Sequence, residues 1–93
     1  MSIEEIKGKI FLVIEHYPIS RLDMFGSRAS GTNSEDSDLD LIVEFKGKVS
    51  LMLLSQLKLD LEESTGLPVD LIHGPIQEDD MIEVGKVIEL YAA

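Results

Sequence analysis

The segment that most constrains the fold runs from Asp38 to Phe45, because its side chains alternate between two chemical types. Successive side chains of a β-strand point to opposite faces of the sheet, so a period of two separates them cleanly. One set is apolar and the other carries two acids: Leu39, Leu41, Val43 and Phe45 against Asp38, Asp40 and Ile42. The segment therefore predicts a β-strand with one apolar and one acidic face.

The other periodic segments predict one α/β (α+β) domain over residues 1–93, with a small mixed β-sheet flanked by helices that pack mainly on one face. Helices are expected where apolar residues recur every three or four positions, at 2–17 and at about 50–64. Further strands are expected at about 21–25, 67–72 and 87–91. A short helix is expected at 78–85, and the polar segment 26–37 is predicted to be a loop with one helical turn.

Composition narrows the class of partner. The formal net charge of −10 would repel bare nucleic acid, whose binding depends on neutralising phosphates with Lys and Arg. The acidity favours a protein partner with a basic patch, or a metal site whose cations offset the charge, and composition leaves both open. A chain of 93 residues has a modest core, so a partner subunit could be needed to complete it.

Three absences limit the location and the kind of site. The chain has no cysteine, which excludes disulfides and thiolate metal sites. Its longest apolar run, Ile10–Ile14, is far shorter than the about 18 residues that a membrane span requires. The acidic N-terminus lacks the basic start of a signal peptide, so we expect a cytoplasmic protein without a membrane segment.

The acids of the sheet are the candidate metal ligands. Asp38 and Asp40 lie two apart on one strand, so their carboxylates share a face and repel each other by on the order of 1 kcal/mol unless a cation joins them. By themselves they also fit a solvated acidic strand edge. Asp70 stands between two apolar residues of the third predicted strand. An acidic side chain is uncommon in such a position and usually has a specific structural or functional role there. If that strand lies beside the second, three carboxylates converge and could hold two metal ions about 3.5–4 Å apart.

A possible phosphate-binding turn precedes these acids. Gly26 and Ser27 follow the first strand, where glycine allows close backbone approach and N–H groups at a helix start favour phosphate. The segment 26–31 has the glycine spacing of a P-loop, but Thr32-Asn33 stands where Lys-Ser/Thr is required. The acids at 36, 38 and 40 open like an EF-hand loop, but the required Gly and Glu are absent. Both of these alternatives fail.

The combined motif resembles a known superfamily. Gly26-Ser27, ten intervening residues, Asp38-Leu39-Asp40 and a later Asp70 between apolar residues are similar to the nucleotidyltransferases that include DNA polymerase β. The fuller segments 25–31 and 37–41 resemble the minimal nucleotidyltransferases of bacteria and archaea. Those proteins are usually the antitoxins of two-gene modules whose other product is a HEPN-domain toxin ribonuclease. The resemblance runs from the first strand to the end of the chain.

The resemblance implies a role for each matching residue. Gly26 and Ser27 would hold the triphosphate of ATP, and Asp38 and Asp40 would bind Mg²⁺, with two ions expected and Mn²⁺ as a substitute. Asp70 would complete the metal site and help to deprotonate the acceptor hydroxyl. Arg28 would contact phosphate, although a surface salt bridge to a nearby acid explains it equally well. Relatives often carry a second arginine where this chain has a serine, at position 30, which weakens phosphate binding by this loop.

Two functional hypotheses remain. In the first, the domain is an enzyme that transfers AMP from ATP to a hydroxyl, a tyrosine of a partner HEPN toxin, within a hetero-oligomer. In the second, it is a non-catalytic binding module that neutralises a toxin by covering it. The three carboxylates favour the enzyme, because a pure binder has no need of converging acids.

Overall fold

The structure, a computed structural model, describes residues 2–34, 37–75 and 86–93. Its elements, in chain order, are α1 (Ile3–Ile14), β1 (Ile19–Phe25), α2 (Ser27–Ser30), β2 (Leu39–Phe45), α3 (Leu51–Thr65), β3 (Val69–His73) and β4 (Ile88–Ala92). The helix expected at 78–85 lies outside the described residues. Across the described ranges, no helix has the length and apolarity needed to cross a bilayer.

Local side-chain chemistry sets the starts of both long helices and the end of α3. The Ser2 hydroxyl oxygen caps α1 by accepting a hydrogen bond from the Glu5 backbone N–H. In turn, the Ser2 backbone N–H donates to the Glu5 carboxylate. Such a capping box satisfies two N–H groups that the first turn leaves unpaired. Ser50 caps α3 by accepting a hydrogen bond from the Leu53 backbone N–H, without a reciprocal bond. Gly66 ends α3 in a left-handed conformation that glycine adopts without strain.

The sheet is mixed and four-stranded, with the order β3-β2-β1-β4. β1 pairs antiparallel with both β2 and β4, whereas β2 and β3 run parallel. The parallel pair is joined by α3, as a crossover between parallel strands requires. This order confirms the predicted mixed sheet and puts the third strand beside the second.

One face of the sheet packs against α1 and α3. The apolar residues predicted for the inner face of β2 are buried among residues from both helices, and the cluster includes Ile6, Ile10, Ile14, Leu39, Leu41, Val43, Leu57 and Leu61. The side chains on the opposite side of the sheet form what we call the open face. On β2 and β3 this face carries Asp40, Glu44 and Asp70. The alternation in the sequence therefore predicts correctly which side of β2 becomes core.

Candidate active site

Two of the three predicted metal ligands are neighbours on the open face. Asp40 of β2 and Asp70 of β3 are register partners in the parallel pair, so their side chains leave the sheet on the same side. Asp38 lies just before β2 and is exposed, as is Asp70, whereas Asp40 is half-buried. The strand order thus brings together acids that are separated in the sequence by the rest of β2, the whole of α3 and its flanking turns.

These carboxylates influence one another electrostatically. The pKa of Asp40 is raised, first because burial disfavours its charged form, and then because the negative charges of Asp70 and Asp38 oppose its ionisation. At neutral pH the three groups therefore form a region of unfavourable negative charge. A divalent cation would relieve that repulsion.

Gly26 fits directly against Asp40. Its φ of +75° belongs to the left-handed region, which favours glycine. A Cβ added at Gly26 would overlap Asp40 Oδ2 and would stand only 3.1 Å from the carboxyl carbon of Asp40. Glycine is therefore needed here for two reasons, the backbone conformation and the close approach of a carboxylate. The contact places the start of α2 next to the acid pair.

The short helix α2 and the loop after it are held by internal hydrogen bonds. The backbone N–H groups of Ala29 and Ser30 both donate to the Gly26 carbonyl at 3.1 Å. Ser30 donates from its hydroxyl to the Ser27 carbonyl at 3.2 Å. Its position is structural in this chain, because it closes the single turn that begins at Ser27.

Arg28 is buried, with 4% of its surface exposed. Its Nε and Nη2 atoms donate to the Ser37 carbonyl at 3.2 and 3.0 Å. Ser37 directly precedes Asp38, so this fork ties α2 to the start of β2. The salt bridge considered for Arg28 involves residues 35 and 36, which lie outside the described residues, and its contact with phosphate stays a prediction. The bonds to Ser37 contribute to holding Arg28 in this buried position.

The profile of the nucleotidyltransferase domain matches residues 9–89. The chain belongs to the nucleotidyltransferase family. Two relatives extend the match: a Methanocaldococcus jannaschii protein to which protein adenylyltransferase activity is attributed is 42% identical over 72 residues, 77% of each chain. The protein adenylyltransferase MntA of Thermococcus cleftensis is 38% identical over 76 residues, again 77% of each chain.

Solved structures share the nucleotidyltransferase fold. A chain of a toxin–antitoxin complex crystallised with AMP-PNP superposes with a TM-score of 0.77 at 19% identity, covering 94% of this chain and 73% of the other. A chain of the complex of a tri-AMPylated Shewanella oneidensis HEPN toxin with its MNT antitoxin gives a TM-score of 0.71 at 15% identity, covering 97% and 72%. At these identities the likeness establishes a common fold.

The donor set of this nucleotidyltransferase fits a hard divalent ion. Carboxylate oxygens suit Mg²⁺ and Mn²⁺, and Mg²⁺ commonly takes one or two carboxylates with substrate phosphates completing its shell. Within residues 2–34, 37–75 and 86–93, no three His, Cys, Asp or Glu side chains are already grouped closely enough to bind an ion by themselves. Such a site would be completed by triphosphate oxygens. The convergence of Asp38, Asp40 and Asp70 on one metal site stays a prediction.

Sequence reasoning missed one acid. Asp23 of β1 lies between Leu22 and Met24, the same pattern of an acid flanked by apolar residues that drew attention to Asp70. The structure buries Asp23 to 6% exposure on the open face.

Of the two histidines, His16 is exposed, and His73 packs edge-on against Phe45 with ring centroids 5.5 Å apart.

Proposed function

We propose that this chain is a Mg²⁺-dependent protein adenylyltransferase that transfers AMP from ATP to a tyrosine hydroxyl of a HEPN-domain toxin and thereby acts as its antitoxin. The observation that supports this most directly is the register of β2 and β3, which makes Asp40 and Asp70 neighbours. Gly26 packs against the Asp40 carboxylate and positions the turn proposed to hold the triphosphate. Metal ligands and a phosphate turn thus adjoin one another.

The proposed chemistry is an in-line displacement at the α-phosphorus of ATP. The acceptor oxygen forms a new P–O bond, the bond to the oxygen that bridges to the β-phosphorus breaks, and pyrophosphate leaves. Mg²⁺, when bound, neutralises phosphate charge and polarises the reacting oxygens. Asp38 and Asp40 would hold the ion, Gly26 and Ser27 would orient the triphosphate, and the Asp70 carboxylate would accept the hydroxyl proton. Most of the catalysis asked of the protein is positioning and charge stabilisation.

The names of the relatives support the substrate assignment. Two relatives of similar length are protein adenylyltransferases by name, and one solved neighbour contains an AMPylated HEPN toxin. The net charge of −10 suits a toxin that must present basic surface to engage RNA, because opposite charges speed encounter. An added AMP would bring negative charge and bulk to that surface and oppose RNA binding.

The test compares wild type with an Asp38→Asn, Asp40→Asn double variant, each incubated with the HEPN-domain protein, ATP and Mg²⁺. Intact mass should show AMP added to the toxin by wild type only, and ribonuclease activity should fall in parallel. The double variant should still form the complex on size-exclusion chromatography, which controls for folding and docking. If neither protein adds mass, the proposed transferase activity is wrong.

The binding-only hypothesis is favoured by a separate observation. Large apolar side chains are exposed on the helical layer, including Leu12 at 66%, Leu51 at 82% and Met52 at 82%. Exposed apolar surface of this kind often marks a protein interface. In the experiment above, equal protection by wild type and double variant without added mass would support neutralisation by occlusion.

A further inference from the structure

A pocket opens on the same face of the sheet as the proposed active site. Its volume is about 360 Å³, and it is lined by residues from three strands, among them Arg21, Asp23, Ile42, Glu44 and Glu89. This volume lies at the small end of the about 300–1,000 Å³ typical of ligand pockets. We call it the Asp23 pocket.

Asp23 gives this pocket an unmet hydrogen-bonding requirement. Its side chain is 9% exposed, and Oδ2 accepts a bond from Arg21 Nε at 2.9 Å. Oδ1 is buried and has no hydrogen-bond partner in the part of the chain that the structure describes. A buried carboxylate oxygen without a donor is costly, so native proteins rarely leave one unpaired. A bound group with an N–H donor would satisfy it.

The pocket lies next to the proposed metal ligands. Asp23 is the register partner of Ile42, which follows Asp40 on the same face of β2. Asp23 is therefore a diagonal neighbour of Asp40 on the adjacent strand, and such neighbours are about 7–8 Å apart, so a group bound at Asp23 would stand one side-chain row from Asp40. That distance separates neighbouring parts of one substrate rather than two unrelated sites.

The charges of the pocket select the class of ligand. Among the described residues that line it, three carry carboxylates, Asp23, Glu44 and Glu89, and one carries a guanidinium, Arg21. Arg21 is already engaged, since it bonds Asp23 and its Nη2 lies 3.7 Å from Glu89 Oε2. The remaining charge is negative, which repels phosphate and attracts a cation. A cation with N–H donors meets both the charge and the free oxygen.

We propose that the Asp23 pocket is a specificity subsite for an arginine or lysine side chain of the acceptor protein, with Asp23 as its anchor. This assignment rests on the proposed function, because it places the cationic side chain beside the hydroxyl that receives AMP. The acceptor hydroxyl at Asp40 and Asp70 is then recognised together with a basic residue about one row away.

A direct binding test needs no partner and no catalysis. Wild type, Asp23→Asn and Asp60→Asn are titrated with ethylguanidinium and with ethylammonium while backbone amide signals are followed by NMR. Saturable shifts centred on Asp23 and Ile42 are expected in wild type and in Asp60→Asn, which removes a carboxylate of the helical layer, and are lost in Asp23→Asn. Tetramethylammonium, a cation without N–H donors, should leave these signals unmoved. Absent shifts, or equal shifts in Asp23→Asn, overturn the proposal.

Kinetics then separates this subsite from the nucleotide site. With the HEPN-domain protein as acceptor, Asp23→Asn should raise the KM for the acceptor by about tenfold or more, because a buried charge pair is lost. Its KM for ATP should stay near that of wild type. Replacing the complementary Arg or Lys of the acceptor by Met should remove the difference between wild type and Asp23→Asn. If the KM for ATP rises instead, the pocket belongs to the nucleotide and the proposal is wrong. The NMR outcome stands whether or not AMP transfer occurs.

Discussion

The covered face and the open face of the sheet carry side chains of opposite kind, although they alternate along the same strands. On the covered face, Leu39, Leu41 and Val43 are fully buried against the helices. On the open face, Asp40 has a raised pKa and Asp23 has a buried oxygen without a partner in the described ranges. The buried apolar side chains of the covered face stabilise the fold. The open face instead carries a carboxylate with unfavourable charge and, among the described residues, a carboxylate oxygen without a hydrogen-bond donor.

The difference fits the proposal that stability and function are separated in this small domain. Apolar burial contributes about 25 cal/mol per Å², and here it is concentrated between the sheet and the helices α1 and α3. Unfavourable charges on the open face reduce the stability of the ligand-free protein. A cation and a substrate that relieve them gain binding free energy in return. Substitutions on the two faces should therefore have opposite consequences.

The largest effect is expected for Asp40→Asn. AMP transfer should fall by at least about 100-fold, because a metal ligand beside the reacting phosphate is lost. The melting temperature of the ligand-free protein should rise by a few degrees at neutral pH, since about 1 kcal/mol corresponds to about 4–8 °C in a domain of this size. Transfer is measured by intact mass and melting by calorimetry. A variant that melts below wild type would contradict the idea that the open face is destabilising.

Two glycines with similar positive φ but different ψ, −156° at Gly26 and 14° at Gly66, sharpen the contrast between the site and the rest of the fold. Gly26 has φ +75° and Gly66 has φ +72°, but a Cβ at Gly66 would meet nothing within 4 Å, whereas at Gly26 it would meet Asp40. Gly66→Ala should lose about 1–2 kcal/mol of stability from its left-handed backbone. Gly26→Ala should lose more, because its backbone conformation is almost confined to glycine and its Cβ would overlap Asp40. Only Gly26→Ala should also lose about 100-fold or more in transfer rate, because it displaces a carboxylate. Equal activities in the two variants would argue against a role for the Gly26 contact.

The covered face is tested by Leu57→Ala in α3. Leu57 is fully buried, so its truncation should lower the free energy of unfolding by about 2–5 kcal/mol. Leu59, which is 59% exposed on the same helix, provides the matched control, and Leu59→Ala should change stability by no more than about 0.5 kcal/mol. Urea unfolding measures both. The affinity for Mg²⁺-ATP should be unchanged in the folded fraction of Leu57→Ala, and a weaker affinity would break the proposed separation.

The smallest effect concerns a polar contact within the helical layer. The Tyr17 hydroxyl donates to Asp60, and burial first, then this bond and the Asp60 charge, raise the pKa of Tyr17 from 10.0 to about 12. The folded state therefore holds the tyrosine proton more tightly than the unfolded state. Its contribution to stability is complete below pH 10 and is lost as the pH rises towards about 12.

Unfolding measured over that alkaline range should show the loss in wild type, and Tyr17→Phe should remove this part of the pH dependence. Asp60→Asn should shift the tyrosinate absorbance step to lower pH, because the negative partner is gone. An unchanged step in Asp60→Asn would show that burial alone sets the pKa of Tyr17.

The sequence was sufficient wherever the determining interaction is local. The caps at Ser2, Ser50 and Gly66 depend on residues within a few positions, so α1 begins, and α3 begins and ends, close to the predicted bounds. α1 ends at Ile14, three residues before its predicted end. The faces of β2 follow from a period of two and needed no tertiary information. The strand predicted at 67–72 was shifted by one or two residues, since the end of a strand depends on its neighbour.

Only the tertiary structure decided which acids meet and which atoms remain unsatisfied. The alternation predicts that Asp40 leaves the inner face of β2, but the strand order β3-β2-β1-β4 makes Asp70 its neighbour and puts Asp23 one row away. Arg28 was open to several roles in sequence, and its bonds to the Ser37 carbonyl depend on how a loop closes. Periodicity along one strand carries no information about the strand beside it, because that pairing is fixed by contacts between residues far apart in the chain.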